Sequence, residues 1–353
     1  MTDYNIIIPT YNRPDYLRRI LGYYDSFGED FKIIVSDSSS DENKELNRKT
    51  ISSVSNLDVK HLDNYPTETN PYHKLADVVN YVATKYCVLC ADDDFVTPNG
   101  IKEAVDFLEN SPDFGTAHGQ YISFFLKNKR NNLAFYWKGA YPGKSITFPE
   151  ADARLVFHLS NYTPTFFAVH RTDSLKMVYQ ESVKSKVDPV FFGELLPSML
   201  TIVNGKMKRL EALYAARDEE ARLEYWPSLK DAIGSGVYNE EYDKFKDCLA
   251  THLSQQSQLD IEESKRIIDE AMSAYMSVFM KVHHPSKSKM GLVLEALHLP
   301  DWMDKRIRRA YEGLKGSNRT RNYSTDMAQS SKSYEDFSRI RHHVLSNSGI
   351  NAE

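Results

Sequence analysis

The sequence predicts an α/β fold, in which a mostly parallel sheet carries helices on both faces and a helical C-terminal region follows. Strand and helix signals alternate over residues 1–115, which is the order of consecutive βαβ units. The strands in this part are continuous apolar runs, as expected when a parallel sheet is covered on both faces. Beyond about residue 235 the signal changes to helix only. We therefore expect a sheet-containing domain followed by a helical region.

The first strands and helices are clearly marked. Strands are predicted at Asn5–Pro9, Lys32–Ser36 and Val59–Leu62 and in the apolar run around Cys87. Helices are predicted from Pro14, over Tyr72–Thr84 and from Thr97, which precedes a proline as an N-cap residue does. Cys87 and Cys90 lie in the strand itself, so we interpret them as small core residues and not as a metal or redox pair.

The pattern is more mixed from about residue 116 to 215. Strands are predicted at Thr116–Phe125, Asn132–Tyr136, Thr165–His170 and Arg209–Ala215. Val190–Val203 has helical spacing and ends before Gly205, a common way for a helix to stop. We expect residues 1–232 to form the first domain.

Three further features describe the C-terminal part. An apolar stripe from Ile268 to Met280 predicts a core or subunit contact within a helical region over residues 233–325, and a homo-oligomer through these helices is one expectation. Residues 281–321 hold ten Lys/Arg against four Asp/Glu, with Trp302 among them. This basic stretch fits either peripheral contact with anionic lipid or an ordinary solvated helical face. Residues 326–353 are polar, and we expect weak order there.

Composition limits the function classes. The net charge of -5 and the pI near 6.1 argue against a general nucleic-acid binder. There is no run of about 18 apolar residues and no signal-peptide pattern, so a cytoplasmic location is expected. The sequence contains neither G-x-G-x-x-G nor G-x-x-x-x-G-K, which argues against a Rossmann oxidoreductase and a P-loop enzyme.

The most informative segment is the acidic cluster Asp92, Asp93 and Asp94, which directly follows an apolar strand. Ligands collect beyond the carboxyl ends of parallel strands, where Asp37 and the P-T-Y-N-R segment are also expected. Adjacent carboxylates repel one another, so we expect a positive partner, and a hard divalent cation bridging phosphate oxygens is the usual one. A solvated acidic turn is the alternative.

In order along the chain, four segments resemble the family 2 glycosyltransferases with the GT-A fold, a Rossmann-like arrangement, over roughly residues 3–217. I-I-I-P-T-Y-N-R resembles the family's first strand and nucleotide loop, and I-I-V-S-D-S-S-S-D, residues 33–41, resembles the second strand, whose last Asp contacts the nucleobase. V-L-C-A-D-D-D-F-V-T-P, residues 88–98, resembles the D-x-D strand and the start of the next helix. G-E-L-L-P-S-M-L-T-I-V-N-G, residues 193–205, is similar to a later segment in which an acid begins a helix.

The resemblance implies a metal-dependent transfer of a sugar from a nucleotide-diphospho-sugar, UDP being the usual nucleotide, to a hydroxyl acceptor. The acceptor would be a saccharide or a lipid-linked saccharide, in bacterial surface polysaccharide synthesis. The implied ligands of Mn²⁺ or Mg²⁺ are Asp92, Asp93 and Asp94. The donor contacts would be Pro9, Thr10, Tyr11, Arg13, Asp37, Lys74, Asp92, Asp93 and Arg217. Glu194, with Asp188 behind it, would be the base, and a single base opposite the leaving group would give inversion.

Two departures from the family pattern leave alternatives open. Aligned on Pro98, the first Asp of D-x-D falls on Ala91, and Glu194 is followed by Leu195 where the family has Asp. Both departures favour a non-catalytic nucleotide- or sugar-binding module as an alternative. A sugar-nucleotide nucleotidyltransferase is a further alternative, although its Gly-rich loop is missing from P-T-Y-N-R.

Several candidate residues also have ordinary structural interpretations. Glu194 is also explained as an acid favoured at a helix N-terminus. Asp37 is also explained as a turn cap. For His158, a core position is favoured over contact with the acceptor, although its neighbour Tyr162 shares a segment that suits an acceptor site.

Overall fold

The structure, a computed structural model, describes residues 4–129, 132–140, 143–219, 237–283 and 332–346. Within these ranges, nine strands form one sheet. They are β1 Tyr4–Thr10, β2 Phe31–Asp37, β3 Leu57–Leu62, β4 Tyr86–Leu89, β5 Phe95–Val96, β6 Phe114–Lys129, β7 Asn132–Ala140, β8 Val169–Arg171 and β9 Lys206–Asp218. Their spatial order is β3-β2-β1-β4-β8-β6-β9-β5, and β7 pairs with β6.

Eleven helices accompany these strands in the described residues. They are α1 Pro14–Asp25, α2 Asp41–Ser53, α3 Pro71–Val78, α4 Pro98–Glu109, α5 Ala151–Ser160, α6 Thr172–Lys184, α7 Pro189–Phe192, α8 Leu195–Asn204, α9 Tyr238–Gln256, α10 Ile261–His283 and α11 Lys332–Ser346. A short 3₁₀ turn, Val79–Tyr81, extends α3.

The two halves of the sheet differ in strand direction. The pairs β3-β2, β2-β1 and β1-β4 are parallel. The register of β1 and β2 aligns Thr10 with Asp37. Beyond β4 the sheet is mixed, because β8 is antiparallel to β4 and β6, whereas β6 and β9 are parallel. The parallel half confirms the predicted βαβ order and brings the carboxyl ends of β1, β2 and β4 to one edge.

Helices cover both faces of the sheet, as predicted. Successive side chains of β1 point to opposite faces, so Ile6 and Ile8 join one hydrophobic cluster and Ile7 joins another. The first cluster includes the apolar faces of α1 and α4, and the second those of α3, α6 and α8. Cys87 and Cys90 fall in opposite clusters as buried free thiols, which agrees with their interpretation as core residues.

The predicted helix over Val190–Val203 is two helices, α7 and α8, which are interrupted by a short turn at Gly193 and Glu194. A Cβ at Gly193 would lie 2.2 Å from the carbonyl oxygen of Pro189, so only glycine allows the turn without a shift. Glu194 is thereby placed at the N-cap position of α8. Within residues 1–232, three helices, α2, α5 and α6, were not predicted. The most polar of them, α2, buries only Lys44 and Asn47 among its described side chains and so lacks an apolar stripe.

The C-terminal helices α9 and α10 pack against the second cluster. Phe245 and Leu249 of α9 and Ile268 and Met272 of α10 are buried there, which confirms the first half of the predicted stripe as core. Side chains 278–283 lie outside the described set. Residues 220–236 and 284–331 also lie outside it, so the domain border near 232 and the basic stretch stay predictions.

The last described helix differs from the expectation of a weakly ordered tail. Ile340 and Val344 of α11 are buried in the first cluster, and its Asp336 accepts a hydrogen bond from Asn99 of α4 at 3.0 Å. Phe337 packs against the same cluster and lies beside the rings of Phe135 and Trp137, so a few apolar residues dock this polar helix. None of the helices in the described ranges is sufficiently long and apolar to cross a membrane.

Candidate active site

Three loops meet at the carboxyl edge of the parallel strands. The loop after β1 contains Asn12, whose φ of 54° lies in the left-handed region. Its backbone N–H donates to Ser39 Oγ at 2.8 Å, and its Oδ1 accepts from the N–H of Ser40 at 2.8 Å. These bonds tie the loop after β1 to the loop after β2. The next residue, Arg13, then lies at the N-cap of α1.

Arg13 joins the first loop to the acidic cluster after β4. Its Nη1 lies 3.0 Å from Asp92 Oδ1, and its Nη2 lies 2.8 Å from Asp93 Oδ2. The two carboxylates hold the pKa of Arg13 above its usual value, although burial opposes this effect. The positive partner expected from the repulsion of the acids is therefore supplied by the protein, from a residue 80 positions earlier than Asp93.

Asp92 is the carboxylate that faces the first strand. Its Oδ2 accepts a hydrogen bond from Thr10 Oγ1 at 2.7 Å. Burial raises the pKa of Asp92 to about 6, and the charge of Arg13 and the bond from Thr10 act in the opposite direction. Arg13 and Thr10 thus stabilise the ionised form of Asp92.

Asp94 is turned the other way, towards β9. Its Oδ1 accepts the backbone N–H of Asp218 at 2.8 Å, and its Oδ2 lies 3.3 Å from Arg217 Nε. Burial, together with the charge of Asp93, raises the pKa of Asp94, while Arg217 lowers it. Arg217 also lies over the ring of Phe167 at 5.0 Å, so the cation is held beside the cluster.

Asp37 is fully buried at the end of β2 and bonds to protein groups. Its carboxylate accepts from the N–H of Ser39 at 2.9 Å and from Asn47 Nδ2 at 2.8 Å, and His61 Nε2 lies 3.1 Å away. Burial raises the pKa of Asp37, but the bonds from His61, Ser39 and Asn47 outweigh it and lower the pKa to about 2. The neighbouring Ser38, not Asp37, lines the cavity described below.

Lys74 of α3 crosses between the ends of β1 and β2. Its Nζ donates to Ser38 Oγ at 2.8 Å and to the carbonyl oxygen of Thr10 at 3.3 Å. Burial lowers the pKa of Lys74 to about 8, and the charges of Asp37 and Asp92 oppose that shift. The ammonium group is thus a buried cation between two acidic positions.

A cavity of about 450 Å³ opens beside these residues. This volume lies within the range of pockets that bind small molecules. Its walls are formed by Pro9, Thr10, Tyr11, Arg13, Ser38, Thr67, Thr69, Pro71, Lys74, Leu75, Ala91, Asp92 and Phe166. Six predicted donor residues are among them, whereas Asp37, Asp93 and Arg217 stand behind or beside the wall. Sequence reasoning missed Ser38, Thr67, Thr69 and Phe166; the turn residues before Pro71 were the available signal for the two threonines.

A second cavity, of about 10 Å³, contains Glu194. It is lined by Leu89, Thr165, Phe166, His170, Leu175, Tyr179, Gly193, Glu194, Pro197, Ser198 and Thr201. Phe166 lines both cavities, so the two are neighbours. The Glu194 side chain is exposed, and the Tyr162 hydroxyl donates to its Oε1 at 2.6 Å. Glu194 is therefore an accessible carboxylate close to the large cavity.

Asp188 lies at the N-cap position of α7. Its Oδ1 accepts the N–H of Val190 at 2.9 Å, which caps α7, and its own N–H donates to Glu241 Oε2 of α9 at 2.6 Å. Asp188 lines neither of the two cavities. These contacts are those of a helix cap that also joins the C-terminal helices to the sheet-containing domain.

The fit of a divalent metal depends on the acidic cluster. In the described part of the chain, no three His, Cys, Asp or Glu side chains are grouped as metal ligands, because Asp92 and Asp94 face opposite ways. Asp93 is the most exposed of the three, at 18% of its side chain, and its described side-chain partner is Arg13. The available donors are carboxylate oxygens, which suit Mg²⁺ or Mn²⁺. A metal bound to Asp93 would replace the contact with Arg13.

Comparison with known proteins finds a family match over part of the chain and a similar fold. Residues 5–176 match the family model described as Glycosyl transferase family 2. The chain is similar to residues 1–349 of TarS from S. aureus in complex with UDP-GlcNAc, with a TM-score of 0.50 and 16% identity over 82% of this chain and 77% of that chain. It is also similar to the mannosyltransferase PcManGT from Pyrobaculum calidifontis in complex with GDP-Man and Mn²⁺, with a TM-score of 0.41 and 11% identity over 88% and 84%. No curated protein sequence matches the chain.

Proposed function

We propose that the chain is a family 2-like glycosyltransferase with the GT-A fold, and from this premise we infer which groups bind the donor and which carry the reaction. In our proposal, a nucleotide-diphospho-sugar occupies the 450 Å³ cavity, and its sugar moves to an acceptor hydroxyl beside Glu194. One observation carries this proposal. The cavity is bounded by Arg13 and Asp92 at the carboxyl ends of β1 and β4, where a fold of this kind binds ligands.

Charge balance supports a diphosphate with a metal. The three carboxylates of the cluster already face three cations, namely Arg13, Arg217 and Lys74. A diphosphate adds negative charge to this balanced site, so a divalent cation would compensate for it. Asp93 would hold that cation, with Asp92 and Asp94 in the same cluster, and Mn²⁺ or Mg²⁺ when bound would supply a Lewis acid for the leaving diphosphate. Arg13, released from Asp93, would then donate to the phosphate oxygens.

The remaining donor contacts follow from the walls of the cavity. Thr10 and Tyr11 lie on the β1 loop, and the exposed ring of Tyr11 offers a surface for the nucleoside. Lys74 and Ser38 present a cation and a hydroxyl at the β2 side. Asp37 would act on the nucleobase through Ser38 and Lys74 instead of by direct contact, because it is fully buried.

Glu194 is our candidate for the general base. A neutral hydroxyl is a weak nucleophile until a carboxylate removes its proton. Glu194 is exposed, lines the cavity next to the donor cavity and occupies the position where the family has its acid pair. A single base on the acceptor side gives inversion at the anomeric carbon. Asp188 plays no direct part in this proposal, since its carboxylate caps α7.

We further propose a UDP-sugar as donor, a saccharide or lipid-linked saccharide as acceptor, and a role in bacterial surface polysaccharide synthesis. The TarS structure was obtained in complex with UDP-GlcNAc, which supports a uridine nucleotide. The acceptor class follows the family resemblance of the motifs.

A non-catalytic binding module of the same fold is the second candidate. Ala91 and Leu195 favour it, because each replaces an acidic residue of the family pattern. Both candidates bind the nucleotide, but only the enzyme releases nucleoside diphosphate from the sugar nucleotide.

Calorimetric titration of UDP, GDP and CMP, each with and without Mn²⁺, tests the donor site. We expect one nucleotide to bind the wild-type protein in a metal-dependent way, and Asp93→Asn to lose the dependence on metal. Asp15→Asn is the matched control, because this exposed acid of α1 pairs only with a neighbouring arginine among the described residues. Absence of binding by all three nucleotides would overturn the proposal.

A turnover assay separates the enzyme from the binding module. With the nucleotide identified by calorimetry, release of nucleoside diphosphate from its sugar conjugates is measured for the wild type and for Glu194→Gln. The substitution removes the proton acceptor and keeps the size of the side chain. We expect a loss of at least about 100-fold in kcat, in line with removal of a general base. Binding without any turnover by the wild type would instead favour the module.

A further inference from the structure

We propose that Tyr162 is a positioning residue for Glu194 and that helix α10, through Tyr275, supports this tyrosine from outside the cavity walls. The inference rests on the proposed function, because it concerns the base of that reaction. It starts from the short hydrogen bond between the Tyr162 hydroxyl and Glu194 Oε1, at 2.6 Å.

The two partners differ in exposure and in freedom to move. Glu194 is exposed and stands at the N-cap position of α8, where its side-chain oxygens make no cap hydrogen bond. An exposed glutamate samples many rotamers, and ordering it costs side-chain conformational entropy. Tyr162 is half-buried and therefore better fixed. A bond from the fixed partner restricts the mobile one, so the tyrosine positions the carboxylate.

The ring of Tyr162 contacts two other rings. They are His158 of α5, with ring centroids 5.3 Å apart in a tilted arrangement, and Tyr275 of α10, at 5.4 Å in an edge-to-face arrangement. Edge-to-face contacts of this kind stabilise ring orientation. Helix α10 thus supports the tyrosine that donates to Glu194, although α10 supplies no residue to either of the two cavity walls described above.

This arrangement leaves one carboxylate oxygen for chemistry. Tyr162 occupies Oε1, and among the described residues no hydrogen bond is made to the other oxygen of Glu194. A base with one oxygen held and one open to the solvent-exposed side can accept a proton without losing its orientation. The same logic applies whenever a base is oriented by a third group.

Neighbouring ionisable groups do not compete for this role. Burial, followed by the charge of Glu194, raises the pKa of Tyr162 well above 10, so the hydroxyl stays a donor at all ordinary pH values. Burial lowers the pKa of His158 to about 3 and that of His170, which lines the same cavity, to about 4. Both histidines are therefore neutral where the enzyme works. Tyr179, the other hydroxyl in the cavity wall, is also held protonated by burial, which raises its pKa.

The test is a set of five variants in the turnover assay, with the donor identified by calorimetry. They are Tyr162→Phe, Glu194→Gln, the double variant of these two, Tyr275→Leu and Tyr238→Phe. The last is the control, since it removes a hydroxyl from α9, where the ring packs on Phe192 and Tyr242 and not on Tyr162. Each is measured for kcat, for the KM of the donor and for donor binding, and kcat is followed from pH 5 to pH 9.

We expect Tyr162→Phe to lower kcat by about 10- to 100-fold, the range for a lost hydrogen bond to a charged group. Donor binding and the donor KM should stay within about twofold, because the donor cavity is untouched. The acidic limb of the pH profile should move to higher pH, since the carboxylate loses a donor that favours its charged form. In the Glu194→Gln background the same change should have no further effect, as expected for residues that act as a unit. Tyr275→Leu should lower kcat by about 2- to 10-fold, the value of one aromatic contact.

Two outcomes would overturn the inference while leaving the proposed function intact. One is a Tyr162→Phe variant with wild-type kcat beside an inactive Glu194→Gln variant. The other is a loss in kcat with an unshifted pH profile and a further loss in the double variant, which would indicate damage to packing alone. If Glu194→Gln is as active as the wild type, the base assignment fails and this inference fails with it. A wild-type protein that binds nucleotide without turnover refutes both at once.

Discussion

Asp37→Asn tests whether the buried acid at the end of β2 has a structural role. The folded protein lowers the pKa of Asp37 from 3.8 to about 2. At about 1.4 kcal/mol for each tenfold change in proton affinity, this contributes about 2.5 kcal/mol to stability at neutral pH. In the wild type, Asn47 Nδ2 and His61 face the carboxylate oxygen of Asp37. The amide of the variant places an N–H donor against these groups or leaves them with one acceptor fewer. We therefore expect the variant to lose about 2–4 kcal/mol of unfolding free energy.

The dependence on pH has a defined sign. Because the pKa of Asp37 is lower in the folded than in the unfolded state, its contribution is complete above the unfolded-state value, near 4. It is lost as the pH falls from there towards the folded-state pKa of about 2. The difference between wild type and variant should consequently be constant from pH 6 to pH 8 and should shrink in acid.

Urea denaturation followed by circular dichroism measures this difference. Asp41→Asn is the matched control, since Asp41 is an exposed acid in the first turn of α2, four residues away. We expect the control to unfold within about 0.5 kcal/mol of the wild type. A variant at position 37 that unfolds like the wild type but no longer binds nucleotide would refute our reasoning, because it would identify the carboxylate as a direct nucleobase contact.

Two other substitutions test the packing of distant parts. Burial raises the pKa of Asp336 from 3.8 to about 6, so the folded state loses stability as the pH rises from about 4 to about 6, and the loss is complete above that range. Asp336→Asn keeps an oxygen that accepts from Asn99. In thermal unfolding we expect its unfolding free energy to rise by about 1–3 kcal/mol at pH 7.5, with no difference from the wild type below about pH 4. A variant that is less stable than the wild type at pH 7.5 would contradict this sign. Gly119→Ala should lose about 1–3 kcal/mol of unfolding free energy in urea, because its Cβ would lie 2.4 Å from the backbone oxygen of Ala212; an unchanged midpoint would show that β6 and β9 can separate there.

The parallel half of the sheet could be predicted because its strands are long apolar runs with acids at their ends. Ile6 and Ile8 are buried on one face of the sheet and Ile7 on the other, and continuous apolar runs indicate such a sheet, which is covered on both faces. The positions of Asp37 and of the acidic cluster at one edge followed from the same argument. The mixed half of the sheet was harder, since β5 has only two residues and β8 only three.

For the contacts within the site, the sequence predicted the type of partner but not the residue that supplies it. Three adjacent acids predict a cation, but sequence spacing does not show that Arg13 and Arg217 supply it, because they lie 79 residues before and 123 residues after their partners. Likewise, Asp188 has the residue type of a catalytic acid, and only the structure reveals that its carboxylate caps α7. Helix α11 was missed because its few apolar residues stand in a polar sequence.

Diffraction from crystals grown with UDP and Mn²⁺ tests the central claim most directly. Anomalous scattering identifies the metal without reference to the protein map. Our account predicts one manganese peak against the carboxylate of Asp93, with the diphosphate in the 450 Å³ cavity and Arg13 turned from Asp93 to a phosphate oxygen. A nucleotide bound at another place, or bound in this cavity with no metal while Arg13 keeps both of its carboxylate partners, would contradict the account.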